Sequence, residues 1–515
     1  MGNLGTGEEP NRVDLLLNGF VTFFTIKYFF ACFVGVFLGT IVGVLPGLGP
    51  ATTMALMLPF TLMHGPMFGL IMLTGILCGA FYGGSTTSIL VNIPGEAASV
   101  VTCIDGYQMA QKGRGGAALA LVAVGSFIAM QMGIVGLQIF APMLAKVALA
   151  FGPAEYFSLM VMAVIILSNL SGDSPARGYL MFCLGLFLGI VGLDPLTSIP
   201  RFIFGYDNLM SGIEFLPVAV GVFGISEIFF LSMKPYAPPR VKKVRFKELY
   251  PNKKEIRRSI FPTLRGSVLG FFVGLLPGPS AVISTFLSYA LEKRLSKHPE
   301  EFGHGAVEGV VAPESANNSA AVSGLITLLT LGLPFSPAGA VLYAGLLMQN
   351  VEPGPLLFQN SPEIFWTLIA ALYIGNIMLL ILNLPLVGFF ARLATLRPPV
   401  LMPFICIICL LGIYSVRNNL FDVWAMIFFG IAGVFFRNWN YPLAPLVIGV
   451  ILGPMTENNL RKMLMGFRGN LSVIFDRPIA LVFLSVALAI IVFKIFNYFA
   501  MRNSPTQEVQ KAPPI

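Results

Sequence analysis

The chain has 515 residues, of which 56% are hydrophobic and only 11% are charged. A soluble globular domain carries about 25% charged residues, so the composition excludes an ordinary soluble protein and indicates a polytopic membrane protein. The net charge of +8 is concentrated in one short segment between apolar stretches, which disfavours a nucleic-acid partner.

Apolar stretches recur along the whole chain. A helix needs about 20 apolar residues to span the hydrocarbon core, and several of these stretches are shorter or interrupted. We therefore expect an all-α polytopic membrane protein with about twelve transmembrane helices and additional re-entrant or broken helices. The stretches lie near residues 20–45, 65–82, 117–141, 156–170, 178–194, 214–233, 266–291, 305–330, 338–350, 363–391, 399–414, 421–436, 441–454 and 477–500.

The first apolar stretch ends in "GVLPGLGPATTM" (43–54), a sequence that a continuous helix does not tolerate. Proline removes a helical hydrogen bond and glycine permits a turn. Irregular backbone at membrane depth survives only where protein or a water-filled cavity surrounds it. The break is thus predicted to face a ligand cavity, with candidate residues Pro46, Gly47, Gly49 and Thr52.

The next apolar stretch carries small polar residues, "GGSTTSILVN" (83–92), and continues into "NIPGEA" (92–97). Their hydroxyl and amide groups can donate to carboxylate oxygens or accept from a cation shell, although about half of the hydroxyls are expected to make helix–helix contacts instead. Glu96 and Asp105 follow, and a capping or solvated role at the water boundary is favoured for both. The candidate ligands are Ser85, Thr86, Thr87, Ser88, Asn92, Pro94 and Gly95.

The basic segment 234–265 lies between apolar stretches, so the positive-inside rule places it in the cytoplasm. It divides the chain into two comparable halves. The predicted organisation is an extracytoplasmic tail (1–19), a first membrane repeat (20–233), the basic loop, a second membrane repeat (266–500) and a C-terminal tail (501–515).

The second half resembles the first. "GLLPGPSAVIST" (274–285) matches the first break at an offset of 231, and the same offset places "GGSTTSILVN" over "ESANNSAAVS" (314–323). "GLPFSP" (332–337) parallels "NIPGEA" at an offset of 240. Because the second unit begins inside and the first begins after an acidic tail predicted to lie outside, the repeats are predicted to be inverted, as in many secondary transporters with a substrate site near the midplane.

The second half supplies a matching set of candidate ligands. Helix N-termini exposed by the breaks suit anions and the carbonyl ends suit cations. A carboxylate inside the membrane is a functional candidate, so Glu314 is a candidate for coupling to a cation or proton. The set comprises Pro277, Gly278, Ser280, Glu314, Ser315, Asn317, Asn318, Ser319, Pro334 and Ser336.

With "YGGSTTSILVNIPGEAASVVTCIDGYQMAQKGRGGAALA" (82–120) and "GVVAPESANNSAAVSG" (309–324), the chain resembles the large membrane subunit of the bacterial tripartite tricarboxylate transporter family, from about residue 15 to 500. The resemblance implies a secondary active importer of the inner membrane. It implies a small four-helix membrane subunit and a periplasmic solute-binding protein as partners, a substrate such as citrate or a related carboxylate, and Na⁺ or H⁺ as the coupling ion. Alternating access is the expected mechanism; a homo-oligomer is left open.

Two segments depart from the family pattern. Residues 279–282 and 335–339 carry Pro-Ser-Ala-Val and Phe-Ser-Pro-Ala-Gly where the family usually shows glycine and hydroxyl residues. These exchanges put citrate in doubt as the substrate and leave a dicarboxylate or an aromatic carboxylate as alternative substrates. An anion channel, a docking scaffold and a membrane-embedded enzyme are the remaining classes, and the last is disfavoured because no catalytic or metal-binding motif occurs among the three histidines and their surroundings.

Overall fold

The computed structural model describes residues 11–45, 49–170, 174–194, 196–233, 249–276, 278–393 and 398–503. Of the predicted site residues, Pro46, Gly47 and Pro277 lie outside these ranges, as do residues 234–248 of the predicted basic loop.

The first half is helical apart from one short hairpin. The hairpin pairs β1 (Gly192–Leu193) with β2 (Pro200–Arg201) in antiparallel register. A π-helical segment, Val220–Ile225, joins the last two helices. The helices are α1 (Arg12–Phe23), α2 (Ile26–Val44), α3 (Pro50–Leu62), α4 (Pro66–Val91), α5 (Val100–Gln111), α6 (Gly115–Ala148), α7 (Pro153–Leu170), α8 (Pro175–Gly189), α9 (Phe215–Ala219) and α10 (Ser226–Ser232).

The second half adds twelve helices within the described residues. They are α11 (Lys253–Gly274), α12 (Ser280–Leu295), α13 (Val307–Leu331), α14 (Pro337–Leu347), α15 (Leu357–Asn360), α16 (Pro362–Asn383), α17 (Val387–Leu393), α18 (Pro398–Arg417), α19 (Leu420–Asn438), α20 (Leu443–Gly466), α21 (Val473–Asp476) and α22 (Pro478–Asn503).

The all-α polytopic class predicted from composition is confirmed. Five helices in the described part of the chain, α2, α4, α6, α16 and α19, are individually long and apolar enough to cross a membrane. Seven further apolar helices are shorter, which agrees with the interrupted pattern of the sequence. The number of about twelve full crossings stays a prediction.

Glycine stripes hold the central helices together. In α2, glycines at every fourth position lie against backbone carbonyls of α4, and α11 lies against α13 in the same way. Such spacing lets helix backbones approach closely in a membrane. The contacts pair Gly35, Gly39 and Gly43 with Met72, Ile76 and Ala80, and Gly266, Gly270 and Gly274 with Ala312, Ala316 and Ala320.

These contacts fix how the two repeats align. The glycine stripes are 231 residues apart, as predicted, but their partners on α4 and α13 are 240 residues apart. The predicted equivalence of 83–92 with 314–323 is therefore wrong. The turn between α3 and α4 has only three residues, 63–65, whereas residues 296–306 join α12 to α13, and this longer connection shifts the register of everything after it.

Equivalent helices of the two halves run in opposite directions. Gly125 lies beside Ser315 and Gly133 beside Val322, so α6 and α13 are parallel. The Tyr82 hydroxyl lies 3.4 Å from the Ala123 carbonyl, while Ile71, near the start of α4, lines a small cavity with Ile134, farther along α6. Helix α4 is therefore antiparallel to α6 and to its own equivalent, α13, as inverted repeats require.

Candidate ligand site between the broken helices

The two irregular segments of the first half lie against each other. Helix α2 ends at Val44, and α4 ends at Asn92, which adopts a left-handed conformation with φ 59°. The chain then returns along α4, so that Gly95 touches the Gly43 carbonyl and lies against Gly84. A side chain at position 95 would collide with both backbones, so glycine is required at this junction.

The second half repeats this arrangement. Gly332, which corresponds to Asn92 at the offset of 240, ends α13 with φ 68°. The Gly278 amide donates to the Phe335 carbonyl at 3.2 Å, and the Thr327 hydroxyl donates to the Leu275 carbonyl at 3.0 Å. Each half thus brings its two breaks together, as the paired motifs predicted.

Glu314 joins the halves. Its side chain is 1% exposed, and one carboxylate oxygen accepts from the Ser85 hydroxyl at 2.8 Å. The other oxygen accepts from Thr102, a residue of α5 that was absent from the predicted site. Two hydroxyls of the first repeat therefore bind one carboxylate of the second.

A second acidic side chain lies beside this cluster. Asn317 donates from Nδ2 to a carboxylate oxygen of Glu96 at 2.9 Å, and the Glu96 amide donates to the Ser99 hydroxyl at 3.3 Å. Asn317 is fully buried. Among the described residues, neither Glu96 nor Glu314 has an ion-pair partner, and no set of three metal-ligating side chains occurs.

The breaks of the two halves are close in depth. Gly324 packs under the Phe335 ring and marks the level of the second break, ten residues after Glu314 on α13. At 1.5 Å per residue this is about 15 Å along the helix axis. Gly84, at the first break, is adjacent to Ser85 and thus level with Glu314. The breaks of the two halves are therefore separated by about 15 Å along this axis, about half the thickness of a hydrocarbon core.

The remaining predicted residues divide into inward and peripheral positions. Thr87 and Ser88 are buried, but both hydroxyls donate to the Gly84 carbonyl within α4. Thr52 donates to the Phe223 carbonyl of the π-helical segment at 3.2 Å, which makes it a helix contact. Thr86, Ser280, Gly278 and Pro334 are buried, Gly49, Pro94 and Ser336 are half-buried, and Asn92 is exposed.

Ser336 caps α14 by accepting from the Gly339 amide at 3.0 Å. Its hydroxyl oxygen is therefore engaged within its own helix, in the role that N-cap serines commonly have. At the offset of 240 the equivalent of Ser336 is Glu96, which forms a capping box with Ser99 at the start of the 3₁₀ turn Ala97–Ser99. Helices α3 and α12, which follow the other break of each half, both start without a side-chain cap.

Asp105 has a different environment from the predicted water boundary. It is fully buried, and one carboxylate oxygen accepts from the amides of Gly303, Gly305 and Ala306 at 2.7–3.0 Å. The other accepts from the Tyr289 hydroxyl at 2.9 Å. Asp105 therefore holds the loop that follows α12, and a solvated role is wrong.

An ion pair lies near the same loop. Arg114 donates from Nε to Glu255 at 3.0 Å, joining the start of α6 to the start of α11. Burial raises the pKa of the Glu255 carboxyl, but the hydrogen bonds from Arg114 and the Asn252 amide, together with the charge of Arg114, outweigh burial and hold this pKa below its ordinary value. The two repeats are thus also tied together outside the apolar core.

Within the part of the chain that the structure describes, several of the most buried polar atoms of α13 have no hydrogen-bond partner. They are the hydroxyl oxygens of Ser315 and Ser319 and the side-chain carbonyl oxygens of Asn317 and Asn318. Sequence reasoning found these residues, but it missed Ser126, which accepts from Asn318 Nδ2 at 2.8 Å. A single serine in the long apolar run of α6 gave a weak signal, because one hydroxyl can bond within its own helix.

The fold and the site define a class: a polytopic membrane protein in which inverted repeats bring broken helices together around buried polar groups. The sequence profile described as "Tripartite tricarboxylate transporter TctA family" matches residues 29–448, most of the chain. The protein belongs to this family, which is a family of transporters, and the resemblance seen in the sequence is confirmed.

The similar curated proteins are themselves uncharacterised. An "uncharacterized 52.8 kDa protein in TAR-I ttuC' 3'region" of Agrobacterium vitis is 46% identical over 483 residues, which cover 93% of this chain and 96% of that protein. A second, an "uncharacterized protein in TAR-II ttuC' 3'region" of the same organism, is 44% identical over 223 residues, covering 43% of this chain and 92% of that protein. No solved structure matches the chain significantly.

Proposed function

We propose that this chain is the large membrane subunit of a cation-coupled importer that binds a carboxylate between the breaks of its two halves. The observation that carries the proposal is the sharing of Glu314 between Ser85 and Thr102. Polar groups of both inverted repeats meet at one buried point, and this is where secondary transporters bind substrate and coupling ions.

The N-terminus of α3, at the first break, is the anion site in this proposal. Helix α3 starts after Gly49 without a side-chain cap, so backbone N–H groups at its N-terminus are available to an anion. Hydroxyls of the 85–88 segment can rotate to donate to a carboxylate. Gly95 allows the backbone of the following segment to approach closely.

Two buried carboxylates beside an anion site require a cation. Glu96 and Glu314 would repel a negatively charged substrate unless protons or bound cations offset their charge. Moving one charge across 100 mV is worth about 2.3 kcal/mol, so a dianion costs about 4.6 kcal/mol and a trianion about 7 kcal/mol to import against an inside-negative potential. Two or more co-transported cations are thus needed for accumulation. This requirement supports coupled transport over an anion channel.

The second break supports a substrate other than citrate. Phe335 stands where the first half has Gly95, and its ring fills the space over Gly324 and against Gly339. With Ser336 already capping α14, this side offers apolar surface in place of donors. A dicarboxylate, or a carboxylate with an aromatic or apolar end, fits such an asymmetric pair of breaks better than a tricarboxylate.

The proposed setting is the bacterial inner membrane. Membership of the family supports a tripartite system. We propose that the other two components are a small four-helix membrane subunit and a periplasmic binding protein that delivers the carboxylate. The basic segment 234–265 would then face the cytoplasm.

The test is uptake of radiolabelled carboxylates into proteoliposomes that contain both membrane subunits and the binding protein. An imposed inward Na⁺ or H⁺ gradient should drive accumulation. Ser85→Ala and Asn317→Ala should each reduce it at least tenfold. Ser226→Ala, a fully buried serine outside the site that bonds to the Val222 carbonyl, should retain uptake. Accumulation that ignores both gradients, or equal uptake by all variants, would refute the proposal.

A further inference from the structure

Helix α13 carries a second polar face, directed away from the carboxylate cluster. Ser315 and Ser319 are four residues apart and so share one face of the helix. The Ser315 hydroxyl lies 3.2 Å from the position that a Cβ at Gly125 would occupy, and the Ser319 carbonyl lies 3.4 Å from the corresponding position at Gly133. This face therefore packs on α6.

Three oxygens on or beside this face are buried without partners. The hydroxyls of Ser315 and Ser319 and the Oδ1 atom of Asn318 make no hydrogen bond, and all three residues are 0% exposed. Asn318 donates from Nδ2 to the Glu314 carbonyl at 2.9 Å and to Ser126 at 2.8 Å. These two acceptors need a donor, so they fix the orientation of the amide and leave its oxygen unpaired.

The chemistry of the set favours a cation. Asn318 uses its N–H groups on protein acceptors, and its free atom can only accept. The two serine oxygens and Ser126 add lone pairs, and Gly125 has no side chain to cover the Ser315 hydroxyl. Neutral oxygens are the ligands of hard cations. Since hydroxyls and amides do not titrate near neutral pH, this face cannot carry a proton.

We infer that Ser315, Asn318, Ser319 and Ser126 form a binding site for a small monovalent cation, Na⁺, between α6 and α13. The inference rests on the proposed function, because the ion would be the coupling ion of that transport. It places the serine ligands about 100–140° around the helix from the Glu314 carboxylate. Asn318 lies between them, and its Nδ2 donates to the Glu314 backbone carbonyl.

The experiment measures thermal unfolding of the purified subunit in detergent, with NaCl, KCl or choline chloride at constant ionic strength. A ligand that binds the folded state stabilises it by RT ln(1 + [L]/Kd), so the unfolding temperature keeps rising with the logarithm of its concentration above the Kd. Na⁺ should produce this rise, and K⁺ and choline should not. Ser315→Ala and Ser319→Ala should raise the Kd for Na⁺ fitted to the rise at least tenfold.

The same serine variants are also compared in choline, without Na⁺, where we expect no loss of stability. In choline, Ser315→Ala and Ser319→Ala should unfold no earlier than the unmodified protein, because they remove hydroxyls that have no partner. Ser226→Ala removes a hydroxyl that bonds to Val222, so it should lower the unfolding temperature while leaving the Na⁺ response unchanged. The choline series also shows directly whether each variant folds.

Three results overturn the inference: no Na⁺-specific stabilisation, equal stabilisation by K⁺, or a Na⁺ response that survives both serine variants within twofold. In the last case the oxygens hold only water. The test is independent of transport, since Ser85→Ala should lose carboxylate uptake yet keep the Na⁺ response. If Na⁺ binds as described but no carboxylate is transported, the ion site stands and the proposed function fails.

Discussion

The glycine contacts between α2 and α4 make a quantitative prediction for Gly39→Ala. A Cβ at Gly39 would lie 2.8 Å from the Ile76 Cα and 2.9 Å from its carbonyl carbon, and closer still to its carbonyl oxygen. Because these are backbone atoms, α2 must move by at least 0.6 Å to reach an ordinary contact of 3.4 Å. Overpacking of this kind costs about 1–3 kcal/mol. The helix propensity of alanine returns up to about 1 kcal/mol, so a net loss of about 1–2 kcal/mol is expected.

The equivalent glycine of the second repeat gives a second test variant, and a glycine without close neighbours gives a control. Gly270 meets Ala316 as Gly39 meets Ile76, so Gly270→Ala should lower the unfolding temperature by a similar amount. Gly388 in α17 has no atom within 4 Å of its Cβ position, and Gly388→Ala should be neutral or stabilising. Thermal unfolding followed by intrinsic fluorescence in detergent compares all three. Unfolding of Gly39→Ala at the temperature of Gly388→Ala would refute the reasoning.

Three further predictions concern the charged groups. Asp105→Asn should weaken three backbone hydrogen bonds and lower the free energy of unfolding by about 1.5–3 kcal/mol. The rate of amide hydrogen exchange in residues 303–306 should rise, and an unchanged rate would contradict the role of Asp105 in holding this loop. Glu314→Gln keeps the size of the side chain but removes its charge, so cation-driven accumulation should be lost. Arg114→Gln should lower the unfolding temperature at pH 7 but not below pH 4. The depressed pKa of Glu255 contributes stability above its unfolded value of about 4.3, and that stability is lost as pH falls through the lower folded value.

Matched controls for these variants lie on exposed positions. Asp207→Asn, Glu363→Gln and Arg257→Gln remove the same charges from solvent-facing side chains, where substitutions usually change stability by no more than about 0.5 kcal/mol. If Glu363→Gln abolished accumulation as fully as Glu314→Gln, the loss would reflect general charge removal. If Arg257→Gln reproduced the pH response, that response would not come from Glu255.

The sequence was sufficient to predict what depends on local backbone chemistry. Proline and glycine located the breaks, and the repeated "LPG" predicted that each half has its own pair. The same physics explains why Gly95 and Gly278 sit where chains approach closely. Composition predicted the membrane class, because so few charges cannot cover a soluble surface.

Contacts between the two halves could not be predicted from the sequence. Thr102 and Ser126 reach Glu314 and Asn318 only through the packing of α5 and α6 on α13. The buried role of Asp105 depends on a loop about 200 residues away. The register error has a related cause, since a longer connection in one repeat is invisible to short motifs compared at a constant offset.

The corrected register shows that the helical framework is symmetric while the polar groups are not. At the offset of 240, Glu314 corresponds to Thr74, whose hydroxyl bonds to the Leu70 carbonyl of its own helix at 2.6 Å. The equivalents of Ser315, Asn317, Asn318 and Ser319 are Gly75, Leu77, Cys78 and Gly79. Helix α4 therefore cannot reproduce the ligand set of α13. Within the described residues, the repeats supply two-fold related breaks, but of the equivalent helices α4 and α13 only α13 carries a buried carboxylate and a group of unpaired oxygens, so a single polar centre per chain follows in place of two equivalent ones.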